Sequence, residues 1–257
     1  MVLHPLPSGE RERRMGPPIP AWQAVEKRQK QSADKWWLIT QPDHAVFAGD
    51  LAAQLDFPAI PTLSSEVISA IAVHDAGWGQ FDNDAAILAL AVPILPRSFL
   101  KIAPAQFLIA WTDSINAAER ISPAGGIIVS EHFSRLTRSR LGSRTDSEQD
   151  VQRLEEFLRH ESRRQARLRA HAHESASELE SLTDVLQFCD LVSLYLCCGA
   201  SEPAEFPQRF GASSIRVRCE EDAFLFTPPV FGRGAALGIS ARRHPGGQPD
   251  ALPFLLG

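Results

Sequence analysis

Cysteine is scarce, and the four that occur, Cys189, Cys197, Cys198 and Cys219, make neither a C-x-x-C pair nor a regular spacing. This argues against a disulfide framework and a thiolate zinc site and leaves reduced, mostly buried thiols. Long apolar runs are missing as well. A membrane span needs about 18 unbroken apolar residues, and the best run, Ala85 to Leu95, is short and contains Pro93. No membrane partner is expected. Basic excess is also lacking, since 26 Lys and Arg stand against 31 Asp and Glu for a formal net charge of −5. That balance argues against nucleic acid as a partner and fits a cytoplasmic protein. The stretch from Met1 to about Pro20 has arginines but no apolar h-region, so it does not read as a secretory signal. There is no G-x-S-x-G elbow, no P-loop and no H-E-x-x-H helix, and the glycines of Gly232 to Gly238 have the wrong spacing for a dinucleotide loop.

What is present is an ordinary globular composition, 44% hydrophobic, able to bury a sizeable core. Residues 1–30 read as a disordered tail and 31–257 as one domain, with a helical core over about 42–198 and a β-rich part over about 213–245. The aromatic and β-branched run Trp36 to Thr40 predicts a strand. A helix follows, with Thr40 or Gln41 near its cap and Pro42 in its first turn. Further helices are predicted from Ser64-Ser65-Glu66 to the His74-Asp75 pair, over 103–121, over about 124–136, from about Ser147 to His173, and from Ser175 or Ser177 to Cys198. Ile215 to Cys219 and Ala223 to Thr227 are strand-like, and the C-terminal strands are placed to pair with Trp36 to Thr40. The expected architecture is mainly α, with a small antiparallel sheet.

Candidate chemistry concentrates on those helices. His74 and Asp75 follow the apolar segment from Ile68, with Gly77 read as its stop signal. A helix C-terminus carries partial negative charge, so a neutral imidazole and a carboxylate placed there suit a cation. His44 lies in an opening helical turn, where the dipole disfavours its protonated form and keeps it fit for metal binding. Asp190 is the lone carboxylate in a segment apolar nearly all round. It needs either a cation or an ion pair or backbone N–H groups. His132 falls on an apolar stripe, as a satisfied core histidine, or else as another metal ligand or a substrate-phosphate contact. Trp78, Asp82 and Asp84 follow the His-Asp pair in a turn-rich loop, the expected seat of substrate choice, in which Asp84 reads as a solvated turn residue and Asp82 equally as that or as a support for the site. Residues 134–173 hold ten arginines against six acids, most of them read as a solvated helix face. Arg97, Lys101 and Arg135 are weak candidates for phosphate contact.

The order His44, His74-Asp75, Asp190 on separate helices resembles the HD-domain superfamily of metal-dependent phosphohydrolases. The phrases Gln41-Pro-Asp-His44-Ala, His74-Asp75-Ala-Gly77-Trp78 and Val129-Ser-Glu-His132-Phe resemble an uncharacterised bacterial branch of it, a family of unknown function, over about residues 36–245. The resemblance implies an HD-like helical bundle with His44, His74, Asp75 and Asp190 as metal ligands and His132 as an added pocket residue. Ala76 stands where some nucleotide-hydrolysing members carry Arg or Lys, and the further histidines of binuclear members have no clear counterparts.

Two imidazoles and two carboxylates leave open positions on an octahedral ion. That suits Mn, Fe, Mg, Co or Ni, one or two per chain, better than a closed structural zinc site. Such an ion makes water nucleophilic and polarises a phosphoryl oxygen, with Asp75 as the principal ligand and Asp75 or His132 as the proton-handling group. The expected activity is a metal-dependent phosphohydrolase acting on a small phosphorylated molecule such as a nucleotide, with Trp78, Asp82 and Arg135 on the substrate. The same ligands in a di-iron oxygenase, or in a non-catalytic metal-stabilised binding module, are the alternatives. A homo-oligomer is left open.

Overall fold

The helix that carries Asp190 is the axis on which the rest is assembled. The computed structural model describes residues 2–5, 19–21, 36–82, 102–221, 223–244 and 249–257. In chain order its helices are α1 (Gln41–Ala53), α2 (Ser65–Ala72), α3 (Pro104–Ile121), α4 (Pro123–Ser143), α5 (Glu148–Arg169) and α6 (Ala176–Cys197), with a short 3-10 turn over Ala76–Gln80. Helix α6 starts at a capping box, in which the Ser175 hydroxyl takes the Glu178 N–H and the Glu178 carboxylate takes the Ser175 N–H. It is buried along most of its second half, from Val185 to Cys198, because α1, α4 and the first strand after it all pack around it.

The strands are β1 (Val2–Pro5), β2 (Ile19–Pro20), β3 (Trp36–Ile39), β4 (Ala204–Phe210), β5 (Ser213–Glu220), β6 (Ala223–Thr227), β7 (Ala235–His244) and β8 (Pro249–Leu256). They form one eight-stranded sheet in the order β1-β3-β7-β8-β6-β5-β4-β2. Most neighbours are antiparallel, but β2 with β4 and β6 with β8 are parallel. Within the stretch set aside as a tail, Val2–Pro5 pairs with β3 and Ile19–Pro20 with β4.

This sheet overturns the expectation of a mainly α, HD-like helical bundle with a small antiparallel sheet, and with it the all-α class. Three strands account for the difference. β4 carries Pro207, β7 carries Gly238 and two arginines, and β8 carries Pro249 and Pro253, all of which weaken a strand signal. Pro207 falls where the β4–β5 register shifts, between Glu205 and Arg209, and the prolines of β8 lie outside its pairing with β6, which is confined to Leu255 and Leu256.

One apolar cluster joins sheet and helices. Phe188 of α6 packs on Phe206 and Phe210 of β4, and Tyr195 on Phe206 and Phe224. Phe47 of α1 meets Phe254 of β8. A smaller cluster gathers Trp78, Phe107, Ala110 and Leu154. Among the described residues no helix is long and apolar enough to cross a membrane.

Candidate metal centre

Four elements bring five polar side chains together in an otherwise apolar interior. Thr40 caps α1, its hydroxyl accepting the Asp43 N–H, and Pro42 occupies the first turn. This fixes the helix that carries His44. Helix α2, capped by Ser64, ends at Ala72, so His74 and Asp75 lie just beyond it rather than in its last turn. Gly49 lets α1 cross that end closely, since a Cβ there would sit 2.6 Å from the Ala72 Cβ. Gly77 acts similarly and not as a helix stop: a Cβ there would lie 2.0 Å from the Ala110 carbonyl oxygen of α3. Its N–H instead donates to the Ser114 hydroxyl at 3.0 Å. His132 comes from α4 and Asp190 from α6.

His44, His74, Asp75 and His132 are all at most 7% exposed. His44 Nε2 lies 2.9 Å from Asp190 Oδ1 and 3.9 Å from Asp75 Oδ2. His74 Nε2 lies 3.4 Å from Asp190 Oδ1 and 3.8 Å from Asp75 Oδ2. His132 Nε2 lies 3.9 Å from Asp190 Oδ2. The three rings meet edge to face, with centroids 5.3 Å apart for His44 and His74 and 5.6 Å for His74 and His132. Two triads, His44-His74-Asp75 and His74-His132-Asp190, each hold ligand atoms within 4.8 Å of one another.

The outer bonds set the tautomers. His74 Nδ1 is 2.8 Å from the Ile71 carbonyl, which can only accept, so Nδ1 carries a proton. His44 Nδ1 is 2.6 Å from the Ser193 hydroxyl, and that hydroxyl donates to the His44 carbonyl at 3.1 Å, so Nδ1 is again the donor. With Nδ1 carrying the proton, loss of a second proton from either ring would leave its Nε2 lone pair turned toward the carboxylates. This is the arrangement by which a metal-ligating histidine is held from behind. His74 Nε2 and His132 Nδ1 have no hydrogen-bond partner although both are buried, a condition that costs about 1–3 kcal/mol per group unless something pairs with it.

The charges are equally unbalanced. Two carboxylates face three imidazoles, and the surroundings shift their protons. Burial by itself would lower the His74 pKa, but Asp75 first and Asp190 next outweigh it and push it up to about 9. His132 goes the other way, pulled down to about 3 chiefly by burial, and stays neutral. Burial raises Asp75. Asp190 is held well below the usual carboxylate range because the hydrogen bond from His44 and the charges of the neighbouring imidazoles exceed its burial penalty. A divalent cation would neutralise the two carboxylates and pair with the unpartnered His74 Nε2, so the residues fit a metal ion.

The other expected site residues lie elsewhere in the packing. Trp78 is buried in the smaller apolar cluster and packs on Phe81. Asp82 accepts the Gln41 N–H at 3.0 Å and so ties the loop to the start of α1. Arg135 donates to Asp184 and Gln187 of α6 and pairs with Glu131, and its positive charge adds to the lowering of the His132 pKa. Asp84, Arg97 and Lys101 lie outside the described residues. The sequence does not mark Ser193 as a site residue. The available signal was its place three residues after Asp190, on the same helix face.

No curated protein and no solved structure matches the chain. A family model described as Protein of unknown function (DUF3891) matches residues 29–240, which takes in every member of the cluster and most of the chain, so the chain belongs to that family.

Proposed function

We propose that the chain is a metal-dependent hydrolase whose cluster of His44, His74, Asp75, His132 and Asp190 holds a divalent ion and acts on a small phosphorylated molecule. The observation that carries this reading is His74 Nε2, which is buried without a hydrogen-bond partner and faces Asp75 and Asp190 while Ile71 fixes the ring from behind. His74 belongs to both triads, and its Nδ1 is taken by the Ile71 carbonyl, which leaves Nε2 to serve. It has one lone pair to offer, which favours one ion over two.

An ion so held supplies Lewis acidity and makes water nucleophilic near neutral pH. The chain's own groups do the rest. Ser193 and the Ile71 carbonyl hold the two imidazoles in the tautomer that ligates. His132, kept neutral by burial, offers an uncharged ring nitrogen beside Asp190 as a further ligand. The apolar wall of α6 around Asp190 limits water and strengthens every charge interaction inside.

The test is to load the purified full chain with Mn, Fe, Mg, Co or Ni, measure metal per chain, and assay a panel of phosphomonoesters and phosphodiesters. Stoichiometric metal with hydrolysis, both lost in Asp75→Asn, supports the reading. Two irons per chain with visible absorption would favour the oxygenase alternative. Tight metal binding with no hydrolysis across the panel would favour a non-catalytic module.

A further inference from the structure

The arginine-rich helix α5 lies against α3, and between them is an open cavity of about 770 Å³ that shares no residue with the metal cluster. Arg120 of α3 and Arg163, Arg164 and Arg167 of α5 line it, with Asn116, Glu119 and His160. Most of these arginines belong to the run that reads from sequence as a solvated face. Arg163, Arg164 and Arg167 also line one concavity together with an arginine from a second helix.

The floor is built rather than incidental. Glu161 is fully buried, and its carboxylate accepts from the Ser130 hydroxyl of α4 at 2.8 Å and from His160 Nδ1 at 2.9 Å. It also pairs with Arg164 Nε at 3.1 Å. Arg164 Nη1 donates to Asn116 at 2.8 Å and to Glu119 at 2.7 Å, and Arg167 donates to the other Glu119 oxygen at 2.9 Å. Arg164, with its side chain 9% exposed, is thereby locked in place. Arg120 and Arg163 are exposed and have no carboxylate partner among the described residues.

Four guanidinium groups against the carboxylates of Glu119 and Glu161 leave an excess of two positive charges. Guanidinium forks match phosphoryl oxygens; Arg120 and Arg163 present theirs, while the locked Arg164 contributes its charge. The volume falls within the range of small-molecule sites, roughly 300–1,000 Å³. A concave site of this size suits a small ligand better than the flat face of a macromolecule.

We propose that this cavity is a second ligand site, one that binds a small molecule through a phosphoryl or diphosphoryl group. It goes beyond the hydrolase reading and does not depend on it.

The experiment is calorimetric titration of the full chain, stripped of metal with EDTA and then dialysed free of it, using pyrophosphate, inorganic phosphate and a duplex oligonucleotide as separate probes. Saturable binding of pyrophosphate or phosphate is expected, and Arg120→Ala with Arg163→Ala weakens it about tenfold or more. These two exposed side chains are chosen because their loss does not disturb the buried floor. The same double variant leaves the metal content of the loaded chain unchanged. No saturable binding of either anion at millimolar concentration overturns the proposal, as does binding that the double variant leaves intact. Tighter binding of the duplex than of pyrophosphate, lost in the same variant, also overturns it in favour of a nucleic-acid surface.

Discussion

The Ser193 hydroxyl sits 2.6 Å from His44 Nδ1 and donates to the His44 carbonyl at 3.1 Å, so one side chain of α6 both turns the His44 ring and braces the backbone that carries it. Ser193→Ala removes the acceptor behind the ring and leaves a buried Nδ1–H unpaired. Loss of such an orienting partner lowers metal affinity by about 10–100-fold. We expect that range in a competition titration against a metal chelator, with the helical circular dichroism signal retained. Unchanged affinity would show that His44 is not held for ligation.

Removing the ligands themselves has a sharper expected outcome. His74→Ala and Asp75→Ala should abolish metal retention, measured as metal per chain after gel filtration. Asp190→Ala should do the same, because it deprives His44 and His74 of their shared carboxylate. Asp190→Leu should lose the metal yet match or exceed the thermal stability of Asp190→Ala, since it replaces a costly buried charge with an apolar group in an apolar helix. A full complement of metal in all of these variants would sink the site assignment.

These candidates were legible because each broke a local rule. Asp190 is a carboxylate where the helix is apolar, and His44 follows a Thr-x-Pro start that places it in a capped first turn. The adjacent His74-Asp75 pair stands out by type, and it follows directly on the C-cap Val73 of its helix. Gly77 looks like a stop signal, whereas its lack of a side chain answers to α3 passing against it, a tertiary demand invisible in local sequence. The same holds for Trp78, which reads as a loop residue near the site and is packed into a separate apolar cluster. The sheet was underestimated for a related reason. Strand propensity measures fit to a pleated, half-buried surface, and the prolines of β4 and β8 hide strands that long-range pairing supports.

Gly77→Ala tests the close approach directly. The new Cβ would lie 2.0 Å from the Ala110 carbonyl and 2.8 Å from the Ser114 nitrogen, both of them backbone atoms that cannot swing aside. Overpacking of this kind costs about 1–3 kcal/mol or more. We expect a lower denaturant midpoint with an unchanged m-value, together with weakened metal retention because Asp75 is two residues away. Wild-type stability in Gly77→Ala would mean that α3 does not approach this turn as described.

The last prediction concerns pH. In the metal-free chain the His74 pKa stands at about 9, above the ordinary value of 6.5, because the charges of Asp75 and Asp190 overcome its burial. A group whose pKa is raised on folding binds its proton more tightly in the folded state. Its contribution is therefore complete below about pH 6.5 and is lost as pH rises through about 9. Thermal stability measured in EDTA should fall across that window. Metal requires the deprotonated ring, so its binding releases a proton, and the stabilisation it confers should grow over the same window. Melting curves with and without Mn, collected at intervals between those limits, should separate progressively. His74→Gln should abolish both trends. If the metal-free melting temperature rises with pH in the wild-type chain, His74 is not held between two carboxylates in the way the distances indicate.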